Sequence, residues 1–225
     1  MLNKQKGNMY PWVTHTWNPI KGKCPYQCSY CYYQNNPCFK SKIGKLRLDE
    51  KALKDNLSEG NFVFVGSSCD MFAQEVKTDW ILDVLNHCNL YNNTYLFQSK
   101  NPMRMAELIN YFPNNFIAGT TIETNRYYEI GNAPNRMQRF LWIKEIRCNN
   151  FDVMVSIEPI LDFDLDIIVN WIKRIHPKSV SIGADSQNHH LPEPSPEKVE
   201  ALIKELSKFT EVKVKDNLKR LRKNN

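Results

Sequence analysis

Three cysteines near the start of the chain have the types and spacing of ligands to a metal centre. Cys24, Cys28 and Cys31 lie in the stretch KGKCPYQCSYCYYQ with the spacing C-x3-C-x2-C. Soft thiolates select zinc, copper(I) or iron–sulfur clusters. A four-iron cluster has four irons to ligate, so three cysteines leave one iron open, and an open position is the mark of a catalytic metal site. Lys21 and Lys23 would favour ionised thiols if they lie beside them.

Other metal sites remain open as alternatives. A zinc knuckle could be completed by Cys38 or by His15, and the pair His189 and His190 could form a second metal site. The seven cysteines are an odd number, which argues against a disulfide framework and for reduced thiols or metal ligands.

The elements that must position these cysteines alternate between strand and helix. Short apolar runs predict strands over residues 13–17, 61–65, 94–98, 116–121, 152–157, 178–182 and 211–214. Helices are predicted over residues 28–35, 50–57, 79–90, 103–111, 135–147, 165–175 and 196–209. This order predicts an α/β fold with parallel strands. The regular repetition of these units, and the absence of a G-x-G-x-x-G after the first strand, favour a partial or complete barrel of the TIM type, and an open doubly wound sheet is the alternative.

Polar or small side chains follow most of the predicted strands, where the chemistry of a barrel is found. They are Ser67, Ser68, Cys69 and Asp70, then Lys100, then Glu123 and Arg126, then Glu158, and finally Gly183, Ala184 and Asp185. An acid in an apolar run should not be buried without a partner. We therefore expect Glu158 and Asp185 to face a polar cavity, with a structural ion pair as the alternative. Glu123 and Arg126 could equally form a helix cap with a salt bridge.

The length of the chain and the distribution of its charges indicate its domain organisation and its possible partners. The 225 residues are expected to form a single domain, residues 1–225, with a basic segment at 1–12 and a basic tail at 211–225. Residues 1–48 hold eight Lys or Arg and no acid, and the tail holds six basic residues and two acids. Such ends suit an anionic partner such as nucleic acid or a phosphorylated substrate, or they are solvated segments that aid solubility. The sequence shows neither a membrane-length apolar run nor the apolar core of a signal peptide, so a cytoplasmic protein is expected.

Tyr30, directly before the third cysteine, makes the motif more specific. The arrangement C-x3-C-x-Tyr-C resembles the signature of radical S-adenosylmethionine (radical SAM) enzymes. The resemblance implies a [4Fe-4S] cluster bound by Cys24, Cys28 and Cys31, with SAM chelated at the open iron. It also implies reductive cleavage of SAM to methionine and a 5′-deoxyadenosyl radical that abstracts a substrate hydrogen. The fold implied is a partial (β/α)6 barrel, and an electron donor such as flavodoxin or ferredoxin is implied as a partner.

The resemblance also assigns roles to the strand ends. The SAM-binding residues it implies are Tyr30, Ser67, Ser68, Asp70, Lys100, Glu123, Arg126 and Gly183. Radical SAM enzymes usually carry a Gly-Gly-Glu-like segment after the second strand, and Gly66-Ser67-Ser68-Cys69-Asp70 departs from it. Lys100 could pair with the SAM carboxylate or with a substrate phosphate. The catalytic candidates are Cys69, Glu158 and Asp185. Cys69 could return a hydrogen atom to a product radical, or it could be a small buried hydrophobe.

Further motifs make the resemblance more specific. The segments HTWNP, GSSCDMF, SKNPMRM, TTIETNR, SIEPILDF and SIGADS look like those of compact radical SAM proteins found often in bacteriophages, over roughly residues 13–218. The group is more distantly similar to the spore photoproduct lyases. A nucleic-acid base or nucleotide is therefore the expected substrate, with Tyr32, Tyr33 and Phe72 available for base stacking and the tail for phosphates. A small metabolite or a peptide is the alternative substrate, and a non-catalytic zinc- or cluster-stabilised nucleic-acid-binding module is the alternative function.

Overall fold

Ten short strands form the framework of the part of the chain that the structure describes. The computed structural model describes residues 2–5, 10–40 and 43–222. The strands are β1 (Asn3–Lys4), β2 (His15–Trp17), β3 (Ile20–Lys21), β4 (Arg47–Leu48), β5 (Phe62–Val65), β6 (Thr94–Gln98), β7 (Phe116–Thr121), β8 (Val153–Ile157), β9 (Ser179–Ile182) and β10 (Glu211–Val214). Eight of them make one sheet in the order β1-β2-β5-β6-β7-β8-β9-β10, while β3 and β4 pair separately.

All pairings in the large sheet are parallel except that of β1 with β2. The α/β fold with a parallel sheet is thereby confirmed, and the order is open, with β1 and β10 at its edges. The register aligns the carboxyl ends of the strands. Trp17 lies opposite Val65, Val65 opposite Phe97, and Ile182 opposite both Ile157 and Val214. The residues that follow the parallel strands therefore meet along one edge of the sheet.

Helices connect successive strands and cover one face of the sheet. They are α1 (Pro37–Lys40), α2 (Thr78–Cys88), α3 (Pro102–Glu107), α4 (Arg136–Cys148), α5 (Leu165–Ile175) and α6 (Pro196–Leu206), with 3-10 turns at Ala52–Lys54, Ile109–Tyr111 and Asp216–Leu221. In α5 the buried residues Ile168, Trp171, Ile172 and Ile175 recur at helical spacing and form the face that packs on the sheet.

The two faces of the sheet bury different clusters. Val63, Val65 and Phe97 belong to the main core together with the apolar faces of the helices. On the other face, Phe64 and Leu96 pack against Tyr10 and Val13 of the N-terminal segment in a smaller cluster. Coverage on both sides explains why these strands are apolar runs without alternation.

Several predicted elements differ from the structure. The predicted helix at residues 28–35 is a series of turns, in which the backbone N–H of Cys31 bonds to the carbonyl of Cys28 and the backbone N–H of Ser29 bonds to the carbonyl of Ile130 in another loop. The helix predicted at 50–57 is reduced to the 3-10 turn Ala52–Lys54. The helix predicted at 103–111 ends at Glu107.

The basic C-terminal tail is part of the fold within the described residues. It contributes strand β10 and the 3-10 turn Asp216–Leu221, in which Leu218 is buried. The positions 1, 6–9, 41–42 and 223–225, which include parts of both basic ends, lie outside the described residues. Among the helices that are described, none combines the length and the apolar character needed to cross a membrane.

Candidate active site

The loop after β3 carries the three cysteines to a cavity at the carboxyl edge of the sheet. Cys24, Cys28 and Cys31 are free, half-buried thiols, and all three line this cavity of about 540 Å³. Two backbone hydrogen bonds flank Cys28, from Ser29 N–H to the carbonyl of Ile130 (3.1 Å) and from Asn132 N–H to the carbonyl of Tyr26 (2.8 Å). The connection between β7 and α4 therefore supports the loop from behind.

Gly131 allows the two segments to approach this closely. Its φ is +138°, and a Cβ at this position would lie 2.6 Å from the carbonyl oxygen of Tyr26 and 3.0 Å from Cα of Cys28. Both the backbone conformation and the space require glycine.

Cys24, Cys28 and Cys31 are the candidate metal ligands of this cavity. No three His, Cys, Asp or Glu side chains in residues 2–5, 10–40 and 43–222 converge as ligands of one metal ion. Cys38, which is exposed on α1, and His15, whose Nδ1 lies 2.9 Å from Thr14 Oγ1, do not line the cavity that the three cysteines share. Three thiols that line one cavity are residues that could hold a metal centre or an iron–sulfur cluster.

The thiols interact with residues that the fold brings close to them and not with Lys21 and Lys23, their neighbours in the sequence. A hydrogen bond with the Cys69 thiol lowers the pKa of Cys24, and burial raises the pKa of Cys28. The Nζ of Lys21 instead pairs with Asp49 at 2.5 Å, and Lys23 is exposed.

Behind the cysteine loop lies a buried ionic cluster centred on Glu123. Its carboxylate is fully buried, accepts a short hydrogen bond from the phenol of Tyr30, and lies 3.0 Å from Arg139 Nη1, 3.4 Å from Arg136 Nε and 3.6 Å from Lys100 Nζ. Burial opposes ionisation, but the three cations lower the pKa of Glu123 to about 2. Burial raises the pKa of Tyr30. Glu123 does not line the cavity; it fixes Tyr30 and Lys100, which do.

Arg136 and Arg139 were not predicted as site residues, although their position in the sequence indicates a buried acid nearby. Both are buried in the first turn of α4, where the helix dipole disfavours cations. Two arginines in that position indicate a buried acid that compensates them. Arg136 Nη2 is also buried and has no hydrogen-bond partner.

The loop after β5 lines the cavity next to the cysteines. The hydroxyl of Ser67 and the backbone N–H of Ser68 both donate to Oδ1 of Asn18, at 3.2 and 2.9 Å. Cys69 is buried beside Cys24 and also lines the cavity.

Asp70 joins this loop to the loop after β6. Its carboxylate accepts from Ser99 Oγ (2.7 Å) and from the backbone N–H of Lys100 (2.8 Å) and Phe72 (3.1 Å). Burial raises the pKa of Asp70. Because protein donors occupy this carboxylate, its principal structural effect is to position Ser99 and Lys100 at the cavity wall.

The opposite wall is formed by residues after β8 and β10 and by the N-terminal segment. Glu158 accepts from Ser181 Oγ at 2.5 Å and from Lys215 Nζ at 2.9 Å. Lys215 Nζ also lies 5.1 Å from the centre of the Tyr10 ring. Tyr10 donates to Gln98 Oε1 at 2.9 Å. Lys215 is a further site residue that the sequence analysis assigned only to the tail.

Asp185 lines the cavity after β9 and is held by its own loop. It accepts from the backbone N–H of Gln187 (3.2 Å) and lies 2.6 Å from His189 Nδ1. Burial opposes the charge, but the hydrogen bonds from His189 lower the pKa of Asp185. His189 is therefore a partner of an acid, and in the described part of the chain it forms no metal site with His190.

Besides Glu123, three predicted residues lie away from the cavity lining. Arg126 pairs with Asp162 and, at 2.6 Å, with Asp164, which is the salt-bridge alternative. Gly183 packs behind the wall, where a Cβ would lie 3.1 Å from Cγ of Glu158. Phe72 is fully buried and packs against aromatic residues of the core, so it is not available to stack a base. Tyr32 and Tyr33 do line the cavity, and Tyr32 is 47% exposed.

The basic residues of the described tail all have acidic partners. These pairs are Lys213 with Glu211 (3.5 Å), Lys215 with Glu158 (2.9 Å), Lys219 with Asp216 (3.0 Å), Arg220 with Glu193, and Arg222 with Glu200 (2.6 Å). Each of these cations therefore lies beside an acid, and contact of the tail with phosphates stays a prediction.

The fold of this chain is similar to the folds of solved structures of two other proteins. A mutant of spore photoproduct lyase with bound AdoMet and dinucleoside spore photoproduct aligns with a TM-score of 0.67 at 10% identity, over 93% of this chain and 78% of that one. A second mutant of the same lyase gives a TM-score of 0.68 with the same identity and coverage. Native anSMEcpe with bound AdoMet and a peptide gives a TM-score of 0.51 at 11% identity, over 88% of this chain and 62% of that one. At these identities the likeness establishes a shared fold.

Sequence comparison gives the family. No curated protein matches the sequence. Residues 8–172, well over half of the chain, match the family described as "Protein of unknown function (DUF5131)". The chain therefore belongs to the DUF5131 family.

Proposed function

We propose that the protein is a radical SAM enzyme. The observation that carries the proposal is the presence of three free thiols, Cys24, Cys28 and Cys31, on one wall of a cavity at the carboxyl ends of parallel strands. A [4Fe-4S] cluster held by these thiolates would supply the electron that cleaves SAM to methionine and a 5′-deoxyadenosyl radical. The shared fold with the lyase and with anSMEcpe supports the same assignment.

The residues of the cavity wall next to the cysteines would bind SAM. Lys100 lines the cavity, and its ammonium group suits a carboxylate. Ser67 and Ser68 offer oxygen acceptors for an amine. Asp70 and Glu123 hold these groups in place through the hydrogen bonds and ion pairs described above, and Tyr30 fixes the cysteine loop on Glu123. Arg126 and Gly183 do not take part in this proposal.

We propose that Cys69 returns a hydrogen atom to a substrate radical. Its thiol is buried at the cavity beside Cys24. In this step the Sγ–H bond breaks and the substrate carbon gains the hydrogen. The thiyl radical left on Cys69 is reduced to the thiol by one electron from an external donor such as flavodoxin or ferredoxin and one proton from solvent.

The substrate we propose is a nucleic-acid base or nucleotide. Tyr32 and Tyr33 at the cavity provide aromatic faces on which a base can stack. The dinucleoside photoproduct bound to the lyase of the same fold, and the sequence resemblance to phage-associated proteins, favour the same class. The compensated charges of the tail imply that recognition depends on the base more than on phosphates.

Anaerobic reconstitution tests the proposal. We expect a brown protein with about four irons per chain, and we expect 5′-deoxyadenosine, detected by mass spectrometry, when dithionite and SAM are added. The Cys28→Ala variant should lose both properties. Cys148→Ala, at an exposed thiol at the end of α4, is the matched control and should keep them. A colourless zinc protein that leaves SAM intact would overturn the proposal.

A further inference from the structure

We propose that the far wall of the cavity binds the hydrogen-bonding edge of a single nucleobase, with Glu158 as acceptor and Lys215 as donor, and keeps the phosphates outside. This inference rests on the proposed function and specifies the substrate of the same site. The far wall comprises Tyr10, Gln98, Ser156, Glu158, Asp185 and Lys215, all of which line the cavity.

The sheet order separates this wall from the cysteines. The cysteine loop follows β2 and β3, whereas Glu158, Asp185 and Lys215 follow β8, β9 and β10 at the other edge of the sheet. Tyr10 reaches the same region from the N-terminal segment and bonds to Gln98 at the end of β6. The wall next to the cysteines is thus available to the cofactor, and the far wall remains for a second molecule.

Glu158 and Lys215 present an acceptor beside a donor. Their side chains are only 16% and 11% exposed, and the 2.9 Å bond between them fixes their relative position. The carboxylate accepts one hydrogen bond from Ser181 and one from Lys215, which leaves about half of its roughly four lone-pair sites free. The ammonium group has about three N–H donors and uses one on Glu158. A planar ligand with an N–H next to a carbonyl or ring nitrogen would satisfy both groups together.

The side-chain amide of Gln98 provides a second acceptor and a second donor in fixed positions. Its Oε1 accepts from Tyr10 at 2.9 Å and its Nε2 donates to Thr121 Oγ1 at 3.1 Å. These bonds set the orientation of the amide and leave one N–H and one lone pair for a ligand. Fixed donors and acceptors on rigid strand ends favour a ligand whose own polar atoms lie in one plane, as in a nucleobase.

The charge of the far wall excludes phosphate. Its charged side chains are the two acids Glu158 and Asp185 and the single cation Lys215, and Lys215 is already paired. A phosphate placed here would meet a net negative wall in a half-buried cavity, where charge repulsion is stronger than in water. A base bearing N–H donors meets no such penalty.

Binding to the cluster-free protein tests this inference. The probes are the four deoxynucleosides, measured by saturation-transfer NMR. For each one, a counterpart methylated on the edge nitrogens is measured as well. We expect at least one deoxynucleoside to bind and its methylated counterpart to bind roughly tenfold more weakly. Ribose 5-phosphate should not bind. Equal binding of the methylated counterpart, or binding of ribose 5-phosphate in preference to the nucleosides, would overturn the proposal.

Two variants locate the binding. Glu158→Gln and Lys215→Met should each weaken nucleoside binding by about tenfold. The matched controls are Glu205→Gln and Lys208→Met, which alter an exposed ion pair of 2.5 Å on and after α6 and should bind like the wild type. Unchanged affinity in the two cavity variants would refute the assignment. If either variant does not fold, the methylated probes on the wild-type protein decide the matter.

The experiments distinguish a failure of the base-binding inference from a failure of the proposed radical SAM function. Nucleoside binding without any cleavage of SAM by the reconstituted wild-type protein would reject the radical SAM assignment and keep the base-binding wall. Cleavage of SAM by a protein whose cluster-free form binds no nucleoside would reject only the base-binding wall.

Discussion

The phenol of Tyr30 donates a hydrogen bond to the buried carboxylate of Glu123, 93 positions later in the sequence. Tyr30 stands between Cys28 and Cys31, and Glu123 follows strand β7 directly. The bond therefore fastens the cysteine loop to the centre of the parallel sheet. Arg139, Arg136 and Lys100 neutralise the carboxylate that makes this attachment.

Glu123→Ala should destabilise the fold strongly. The substitution leaves three cations around a buried site without their common counter-ion, and breaking a buried ion pair costs about 3–5 kcal/mol. Urea denaturation of the cluster-free protein measures the free energy of unfolding. Glu107→Ala, at an exposed position of α3, is the control and should change stability by about 0.5 kcal/mol at most. Equal effects of the two substitutions would contradict the central role of Glu123.

Stability should fall on acidification, and Glu123 should account for part of the fall. The pKa of Glu123 drops from its ordinary 4.5 to about 2 in the folded protein. Its contribution is therefore complete above about pH 5 and is lost as the pH falls towards 2, with a slope of up to about 1.4 kcal/mol per pH unit. The Glu123→Gln variant should show a flatter pH dependence between pH 5 and 2. Asp216→Asn, at a 92% exposed carboxylate, should follow the wild-type curve, and a steep curve for Glu123→Gln would refute the prediction.

Gly131→Ala should disturb the cysteine loop. The added Cβ would overlap the carbonyl of Tyr26 and approach Cα of Cys28. In addition, an alanine held at φ +138° costs about 1–3 kcal/mol of backbone strain. We expect lower stability and fewer irons per chain after reconstitution, measured by elemental analysis. Gly60→Ala is the matched control, because Gly60 has φ +73° but no atom within 4 Å of an added Cβ. Gly60→Ala should lose roughly 1–2 kcal/mol and keep its iron. Full iron occupancy in Gly131→Ala would show that the loop does not depend on this contact.

Alkylation should distinguish the cysteines of the cluster-free protein. Thiolates are the reactive species, and the hydrogen bond with Cys24 together with burial raises the pKa of Cys69. Cys88 is fully buried, and burial raises its pKa as well. Iodoacetamide at neutral pH should therefore modify the exposed Cys38 and Cys148 before Cys69 and Cys88, as followed by peptide mass spectrometry. Labelling of Cys69 as fast as that of Cys38 would show that its thiol is not enclosed as described.

The strand ends show how far sequence reasoning reached. Runs such as FVFV and VMVSI predicted β5 and β8 to within one residue, because a strand buried on both faces tolerates only apolar side chains. The same rule led to Glu158 and Asp185, which do line the cavity. Applied to β10 it would also have found Lys215, but the surrounding lysines and arginines made this segment look like a solvated tail.

The sequence by itself determined the periodic pattern of the parallel sheet and the cysteine motif, since both depend on local spacing. Only the tertiary structure decided which polar residues share a site. It brought Tyr10 and Lys215, from opposite ends of the chain, to one wall. It also directed Arg126 to Asp162 and Asp164 and not to the cavity. The physical reason is that a charged side chain selects its partner by distance and burial, and the fold sets both across tens of residues.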